Sequence, residues 1–343
     1  MVVDRDVRRD DVAQLVRVHV GLPVARRGPD PAAGAVRMPE TWTPRRRGAY
    51  GGRARRRRAS LWKPDAPSAM RDNRQAMPEA GALYRIAFAL GMGVWLAGCS
   101  MSIDHFTFFP DRAVGNPPPG IEERWITTED GQRLHAWAVG DRGPAPMLLW
   151  SHGNAGNIDS RREVLMALAR RGLGLLAYDY RGFGKSSGSP HEAGVYLDAA
   201  ASFDSEVSRG RDPRTLVCFG ESLGGAVSIE LASRRPCGAV IVVATFTRLA
   251  DVARRYYGPL GALAGNRFDS MARISRLSMP LLVAHGDADE IVPFGLGQRL
   301  FEAAPEPKRF HRIRGLTHND ALGSPGLLDA IASFAREAVA RQP

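Results

Sequence analysis

An apolar, β-type run from Leu216 to Phe219 leads into Gly220-Glu221-Ser222-Leu223-Gly224, and a small-residue helical run from Gly224 to Ala232 leads out. Few arrangements of a chain satisfy that order. A strand that turns at once into a helix forces the corner residue into a strained backbone conformation. Glycines flank it where Cβ atoms would meet the neighbouring strand and helix. Five residues with two glycines recur by chance, but strand, corner and helix in succession mark a nucleophile elbow. The corner aims Ser222 Oγ at solvent, and the first turn of the helix offers backbone N–H groups to negative charge.

The flanking elements extend this corner into a layered sheet. Residues 123–128 and 133–139 alternate around Asp130-Gly131, which predicts a hairpin. Further strands are predicted at 146–150, 173–178, 238–244, 280–284 and 308–313. Helices are predicted over 161–170, 193–207, 294–303 and 327–339. Strands that alternate with helices and are mostly apolar throughout predict an α/β fold. Its sheet is mostly parallel, led by an antiparallel hairpin and covered by helices on both faces. Reactive side chains belong at the C-terminal ends of such strands. The stretch from Phe246 to Arg276, with Tyr256 and Tyr257, is short: part of an acyl pocket, a small lid or plain surface packing are equal readings of it.

The net charge of +11 points first to nucleic acid or a membrane. Its distribution removes nucleic acid as a partner of the domain around Ser222. Residues 1–98 hold 19 Arg and Lys against 9 Asp and Glu, and the remainder 28 against 27. Residues 1–69 contain the runs Arg45–Arg47 and Arg55–Arg58, sustain no period of 3.6 or 2, and are expected to be disordered, a basic arm binding nucleic acid or anionic lipid being the functional alternative. From Met70, a basic stretch is followed by the apolar run Ile86–Ala97 and then Leu96-Ala97-Gly98-Cys99. That is the order of a secretory signal, too short for an ordinary membrane span; an uncleaved anchor or a buried helix is the alternative. Leu-Ala-Gly-Cys resembles a bacterial lipobox, and the resemblance implies that Cys99 is acylated and becomes the mature N-terminus. A signal is read only at a chain start, so the expected start is Met70 or Met77, with residues 1–69 an over-extended reading frame. Residues 70–98 are then the signal, 99–120 a tether ending in Asn116-Pro-Pro-Pro-Gly120, and 121–343 the folded domain. The expected location is the bacterial cell envelope, lipid-anchored and periplasm-facing. Ser100, by resemblance to enterobacterial lipoproteins, favours the outer membrane. Cys218 and Cys237 read as small buried hydrophobes, and no cysteine spacing suggests a metal site or a disulfide.

A serine nucleophile needs a base, and the base needs an orienting carboxylate. After an elbow of this kind the chain order is Ser, Asp or Glu, His. Of the eight histidines only His285, His311 and His318 follow Ser222. His311 falls inside a strand and His285 opens the loop after Ala284. His318, past the last strand, is the expected base. Asp289 is the expected acid, and Asp287 is the rival, better suited to forming a turn. An oxyanion hole needs two N–H groups, expected from Leu223 and from Asn154, with His152 shaping the Asn154 loop and the Asn154 side chain not required. Gly184-Lys185-Ser186 could pass for a phosphate-binding loop, but Asp179 stands where that motif needs its first glycine, so a nucleotide site is rejected.

Together, residues 152–157, 179–186, 220–225, 285–293 and 315–320 resemble the α/β-hydrolase superfamily, most closely its ABHD-type serine hydrolase branch, which includes protein depalmitoylases. The resemblance covers residues 121–340. It implies a triad of Ser222, Asp289 and His318 with no metal or organic cofactor, and says little of substrate. The expectation is hydrolysis of a small acyl ester or thioester by a protein held at the membrane through its lipid anchor. A peptidase acting on short peptides is an alternative, mildly disfavoured by the missing large cap. A non-catalytic envelope binding protein is another, disfavoured by the complete Ser, Asp and His set.

Overall fold

The computed structural model describes residues 103–140 and 145–341. The expected extension 1–69, the signal segment 70–98 and Cys99 lie outside the described residues.

In chain order the strands are β1 (Phe109–Pro110), β2 (Glu122–Thr127), β3 (Arg133–Val139), β4 (Met147–Ser151), β5 (Ala155–Gly156), β6 (Gly174–Tyr178), β7 (Leu216–Glu221), β8 (Ala239–Val243), β9 (Leu281–Gly286) and β10 (Lys308–Ile313). The main helices are α1 (Arg162–Ala169), α2 (Glu192–Ser208), α3 (Leu223–Ala232), α4 (Leu249–Tyr257), α5 (Met271–Ile274), α6 (Phe294–Ala303), α7 (His318–Ala321) and α8 (Pro325–Ala340). Eight strands form one sheet in the order β10-β9-β8-β7-β4-β6-β3-β2. From β10 to β6 all neighbours are parallel, and β3 and β2 close the edge antiparallel.

Side-chain alternation along these strands builds two cores. Met147 and Leu149 of β4 face α2, α3 and α6, while Leu148 and Trp150 face α1 and α8. Every residue of β4, β6, β8 and β9 is buried, as continuous apolar runs in a doubly covered sheet require. The chain moves from β4 outward to β6, then crosses back to place β7 on the other side of β4. That reversal opens a crevice at the carboxyl ends of β4 and β7, the usual place for a ligand in such a sheet.

Two features differ from the sequence reading. Cys218 and Cys237, read as separate hydrophobes, are joined as a disulfide. Gly238 N–H donates to Leu216 O (2.7 Å), so the chain enters β8 beside the start of β7. The separation of 19 residues holds all of α3, and the crossover, not sequence proximity, brings the two Cα atoms to 6.1 Å. The segment expected as a tether is also partly ordered against the domain. Residues 103–107 are helical, Phe108 is buried, and β1 pairs with β5. Among the described residues no helix is long and apolar enough to cross a membrane.

Candidate active site

Ser222 stands between β7 and α3 with φ 50° and ψ −120°. That conformation costs on the order of 1–3 kcal/mol in a residue with a side chain. Its neighbours over-determine it. Ser222 N–H donates to Val243 O (2.9 Å), while Gly225 N–H and Thr245 Oγ1–H donate to Ser222 O (3.0 and 2.7 Å). The flanking glycines have the expected cause. A Cβ at Gly220 would run into the backbone of Gly224 and Gly225, and one at Gly224 into the carbonyls of Ser151 and His152.

The loops after β9 and β10 bring Asp289 and His318 to the same place. Asp289 Oδ1 accepts from Ile291 N–H and Val292 N–H (2.9 and 2.7 Å). Its Oδ2 lies 2.8 Å from His318 Nδ1 and 3.2 Å from His285 Nε2. Burial pushes this carboxyl up, but the hydrogen bonds from His285 and His318 outweigh it and hold Asp289 well below the usual carboxylate range. An ionised carboxylate can only accept, so Nδ1 of His318 carries the ring proton. Nε2 then turns its lone pair to Ser222 Oγ, 3.1 Å away. This geometry lets the ring take the hydroxyl proton as the oxygen attacks.

The rival residues are occupied elsewhere. Asp287 accepts from Gly315 N–H (2.6 Å) and Arg312 Nε–H (2.8 Å), tying the two strand-end loops together. His285 is fully buried, with Nε2 also 2.9 Å from Val292 O, so it braces the acid loop. His311 lies within β10.

Leu223 begins α3 and Asn154 lies in the loop after β4; with Ser222 they line one cavity. Sequence reasoning missed what fixes the Asn154 loop. Glu221, directly before Ser222, accepts from Gly153 N–H (3.1 Å) and Arg161 Nε–H (2.8 Å). Arg161 Nη1 in turn donates to Ala155 O (2.6 Å). Burial raises the Glu221 carboxyl, but the adjacent Arg161 charge outweighs it and keeps it low, so the clamp is an ion pair. Asp179 holds the far end by accepting from Ile158 N–H (2.8 Å). His152 is bonded within this loop, with Nδ1–H donating to Gly153 O (2.7 Å) and Tyr180 O–H to His152 O (2.8 Å). The Asn154 side chain is engaged as well. Its Nδ2–H donates to Thr107 O (2.9 Å), and Asn154 O accepts from Phe109 N–H (2.8 Å). The ordered N-terminal segment is therefore stitched to the loop beside Ser222.

The cavity above these residues measures about 460 Å³, within the range of small-ligand sites. Phe109, Phe246, Leu249, Val252, Tyr256 and Ile291 are among its walls, and none of its described lining residues is charged. Tyr256 O–H lies within 3.0 and 3.1 Å of Glu290 O and Ile291 O, which ties the wall helix α4 to the acid loop.

Known proteins carry the same architecture. A family model described as "Serine aminopeptidase, S33" matches residues 143–272, a span that includes Ser222 and ends before Asp289 and His318. The uncharacterized protein Rv2307c of Mycobacterium tuberculosis is 41% identical over 280 residues, covering 77% of this chain and 96% of its own length. The uncharacterized Escherichia coli protein YfhR is 34% identical over 230 residues, covering 63% and 80%. Among solved structures, the Pyrococcus furiosus esterase Pf2001 superposes with a TM-score of 0.58 at 18% identity, covering 67% of this chain and 97% of that one. A puromycin-hydrolyzing peptidase of Mycobacterium tuberculosis gives 0.55 at 17% identity, covering 67% and 41%. Those two likenesses are of fold alone. The chain covers nearly all of the mycobacterial relative and belongs to one family with Rv2307c, and its sheet order and elbow give it the α/β-hydrolase fold.

Proposed function

We propose that the chain is a serine hydrolase of carboxylic esters or thioesters, akin to the ABHD-type branch and acting through Ser222, His318 and Asp289. The observation that carries this reading is the unbroken line from Asp289 Oδ2 through His318 to Ser222 Oγ at the floor of an uncharged cavity. His318 Nε2 takes the hydroxyl proton as Ser222 Oγ bonds to the acyl carbon. The carbonyl oxygen becomes an oxyanion held by Leu223 and Asn154 N–H groups. The C–O or C–S bond then breaks, and His318 returns the proton to the leaving alcohol or thiol. Water, deprotonated by His318, attacks the acyl-enzyme and releases the carboxylic acid, restoring Ser222. Asp289 fixes the ring tautomer and stabilises the imidazolium throughout.

The description of the matching family model raises a peptidase acting at a free amino terminus. An ammonium group there calls for an anion in the pocket, and the described cavity lining includes no Asp or Glu. An acyl chain needs only apolar walls. By the same reading Cys99 is acylated and holds the protein at the bacterial envelope, facing the periplasm. The disulfide between Cys218 and Cys237 supports an oxidising compartment.

The test is labelling with a fluorophosphonate in a lipoprotein-competent bacterium, alongside Ser222→Ala and Cys99→Ala, with mass spectrometry of the mature N-terminus. Labelling that requires Ser222 and an acylated Cys99 are the expected results. Labelling without acylation keeps the hydrolase and removes the anchor. Absence of labelling in folded protein would move a non-catalytic binding role to the front.

A further inference from the structure

The insert between β8 and β9 differs in charge from its surroundings. Residues 246–276 carry six arginines against Asp251 and Asp269, a net of +4, while residues 99–343 as a whole sum to +1. Helix α4 within it has two kinds of surface. Leu249, Val252 and Tyr256 line the cavity, while Arg254, ion-paired to Asp251 at 3.0 Å, and Arg255 are exposed. The turn that follows, Gly258–Ala264, leaves Leu260 and Leu263 68% and 74% exposed. Six large hydrophobic side chains are exposed among the described residues. Four of them, Phe106, Tyr257, Leu260 and Leu263, stand around this one cavity. Phe106 comes from the N-terminal segment, which an ion pair between Asp104 and Arg267 holds to the insert.

Chance does not gather exposed apolar side chains at a single mouth; contiguous patches of this kind mark contact surfaces. An apolar tip beside a basic helix face is the pattern of elements that lie in the plane of an anionic bilayer, the tip among acyl chains and the arginines at the headgroups. The chain outside the structure points the same way. Cys99 precedes Ile103 by four residues, which span at most about 14 Å, so an anchor there would hold the mouth close to lipid.

We propose that this rim is a docking surface for an anionic lipid bilayer, and that it passes the acyl chain of a membrane-resident ester into the cavity without a transit through water. The proposal rests on the reading of Ser222 as the nucleophile of an acyl hydrolase.

The test reads the rim locally, because the basic residues 1–98 would themselves draw the full chain to anionic vesicles. In full-length protein carrying Cys99→Ala, Leu263→Cys is labelled with an environment-sensitive fluorophore, with Leu260→Cys as a second position. Ser208→Cys, the exposed last residue of α2, at the helix end that leads back to the start of β7 and away from Ser222, is the control. Vesicles of phosphatidylglycerol and phosphatidylcholine should brighten the rim labels, and brominated acyl chains should quench them, with no response at position 208. Arg254→Glu with Arg255→Glu should weaken the rim response at least tenfold, as should roughly 1 M salt. Each labelled protein is also treated with fluorophosphonate in solution. Reaction at Ser222 with no rim response would overturn docking and leave the hydrolase intact. A rim response that needs no vesicles and grows with protein concentration would assign the surface to a second copy and overturn the proposal. A rim response without phosphonate reaction would overturn the hydrolase reading, and the delivery role with it.

Discussion

The nucleophile elbow and the insert that overhangs it follow opposite rules. At the elbow every group is buried or bonded. Ser222 is held by Val243, Gly225 and Thr245, and α3 behind it is buried along its whole length. The insert Phe246–Arg276 is anchored inward by Phe246, Phe268 and Ile274 but turns apolar side chains outward at Tyr257, Leu260 and Leu263. A strained backbone needs rigid surroundings to persist, and an exposed apolar surface does not. On the proposed reading the sheet ends fix what reaction the site performs, and the insert decides what reaches it. That division can be attacked from both sides by substitution.

The sharpest attack separates Asp289 from Asp287. Asp289→Asn should lower kcat by about 10⁴-fold, because an amide cannot hold His318 in the tautomer that faces Ser222. Asp287→Asn should leave kcat within a few-fold of the parent, since its partners are Arg312 and Gly315. Steady-state hydrolysis of a chromogenic ester by both variants measures this. Equal losses would mean that the acid loop works as one unit and that the assignment to Asp289 fails.

Next comes the clamp that joins elbow and loop. Arg161→Ala leaves Glu221 half-buried without its cation and frees the Ala155 carbonyl, so the Asn154 N–H should lose its aim. The expected loss is roughly 10- to 100-fold in kcat with KM little changed, below the 10²- to 10³-fold typical of deleting an oxyanion donor outright. Arg161→Lys should recover part of it. A rise in KM alone would place the pair in ground-state binding instead.

How much of this was legible beforehand follows the same division. The elbow, the order Ser, Asp, His and the parallel sheet are local patterns, because strand ends in this fold carry their chemistry in short contiguous motifs. The clamp was not legible: Glu221 is the variable position of G-x-S-x-G, and its partner Arg161 lies in another element. The only available signal was a charged residue flanking a nucleophile in an otherwise apolar run. The disulfide was hidden because its register is set by a crossover through α3. The ordered segment 103–110 was hidden because its contacts, Thr107 and Phe109 with Asn154, are far apart in sequence. The placement of Phe106, Leu260 and Leu263 at the mouth depends on exposure, which no sequence period around them encodes.

On the other side of the division, Val252→Trp fills the cavity wall while leaving the elbow untouched. It should reduce kcat/KM for long acyl esters about tenfold more than for acetyl esters, because a shortened pocket excludes the distal methylenes and not the reacting carbonyl. A chain-length series of p-nitrophenyl esters measures the ratio. A uniform loss across the series would mean that the insert positions the carbonyl as well, and the two regions would no longer be separable.

The smallest effect lies away from both regions, at the hairpin between β2 and β3. Arg181 donates two hydrogen bonds to Asp130, and with Thr128 it lowers the Asp130 carboxyl to about 2. The unfolded chain holds the same carboxyl near 3.9, so the folded state binds the proton more weakly. Its contribution is present above about pH 4 and is lost as pH falls towards 2. The carboxylate is more than a third exposed, and solvent screening limits the contribution to at most about 1 kcal/mol. Asp130→Asn should therefore lower Tm by roughly 2–4 °C at pH 7, converge with the parent near pH 2, and leave kcat unchanged. Thermal melts followed by circular dichroism across that range decide it. A Tm difference that persists below pH 2 would mean that the loss comes from hairpin packing rather than from charge, and a fall in kcat would mean that the hairpin edge is coupled to the elbow.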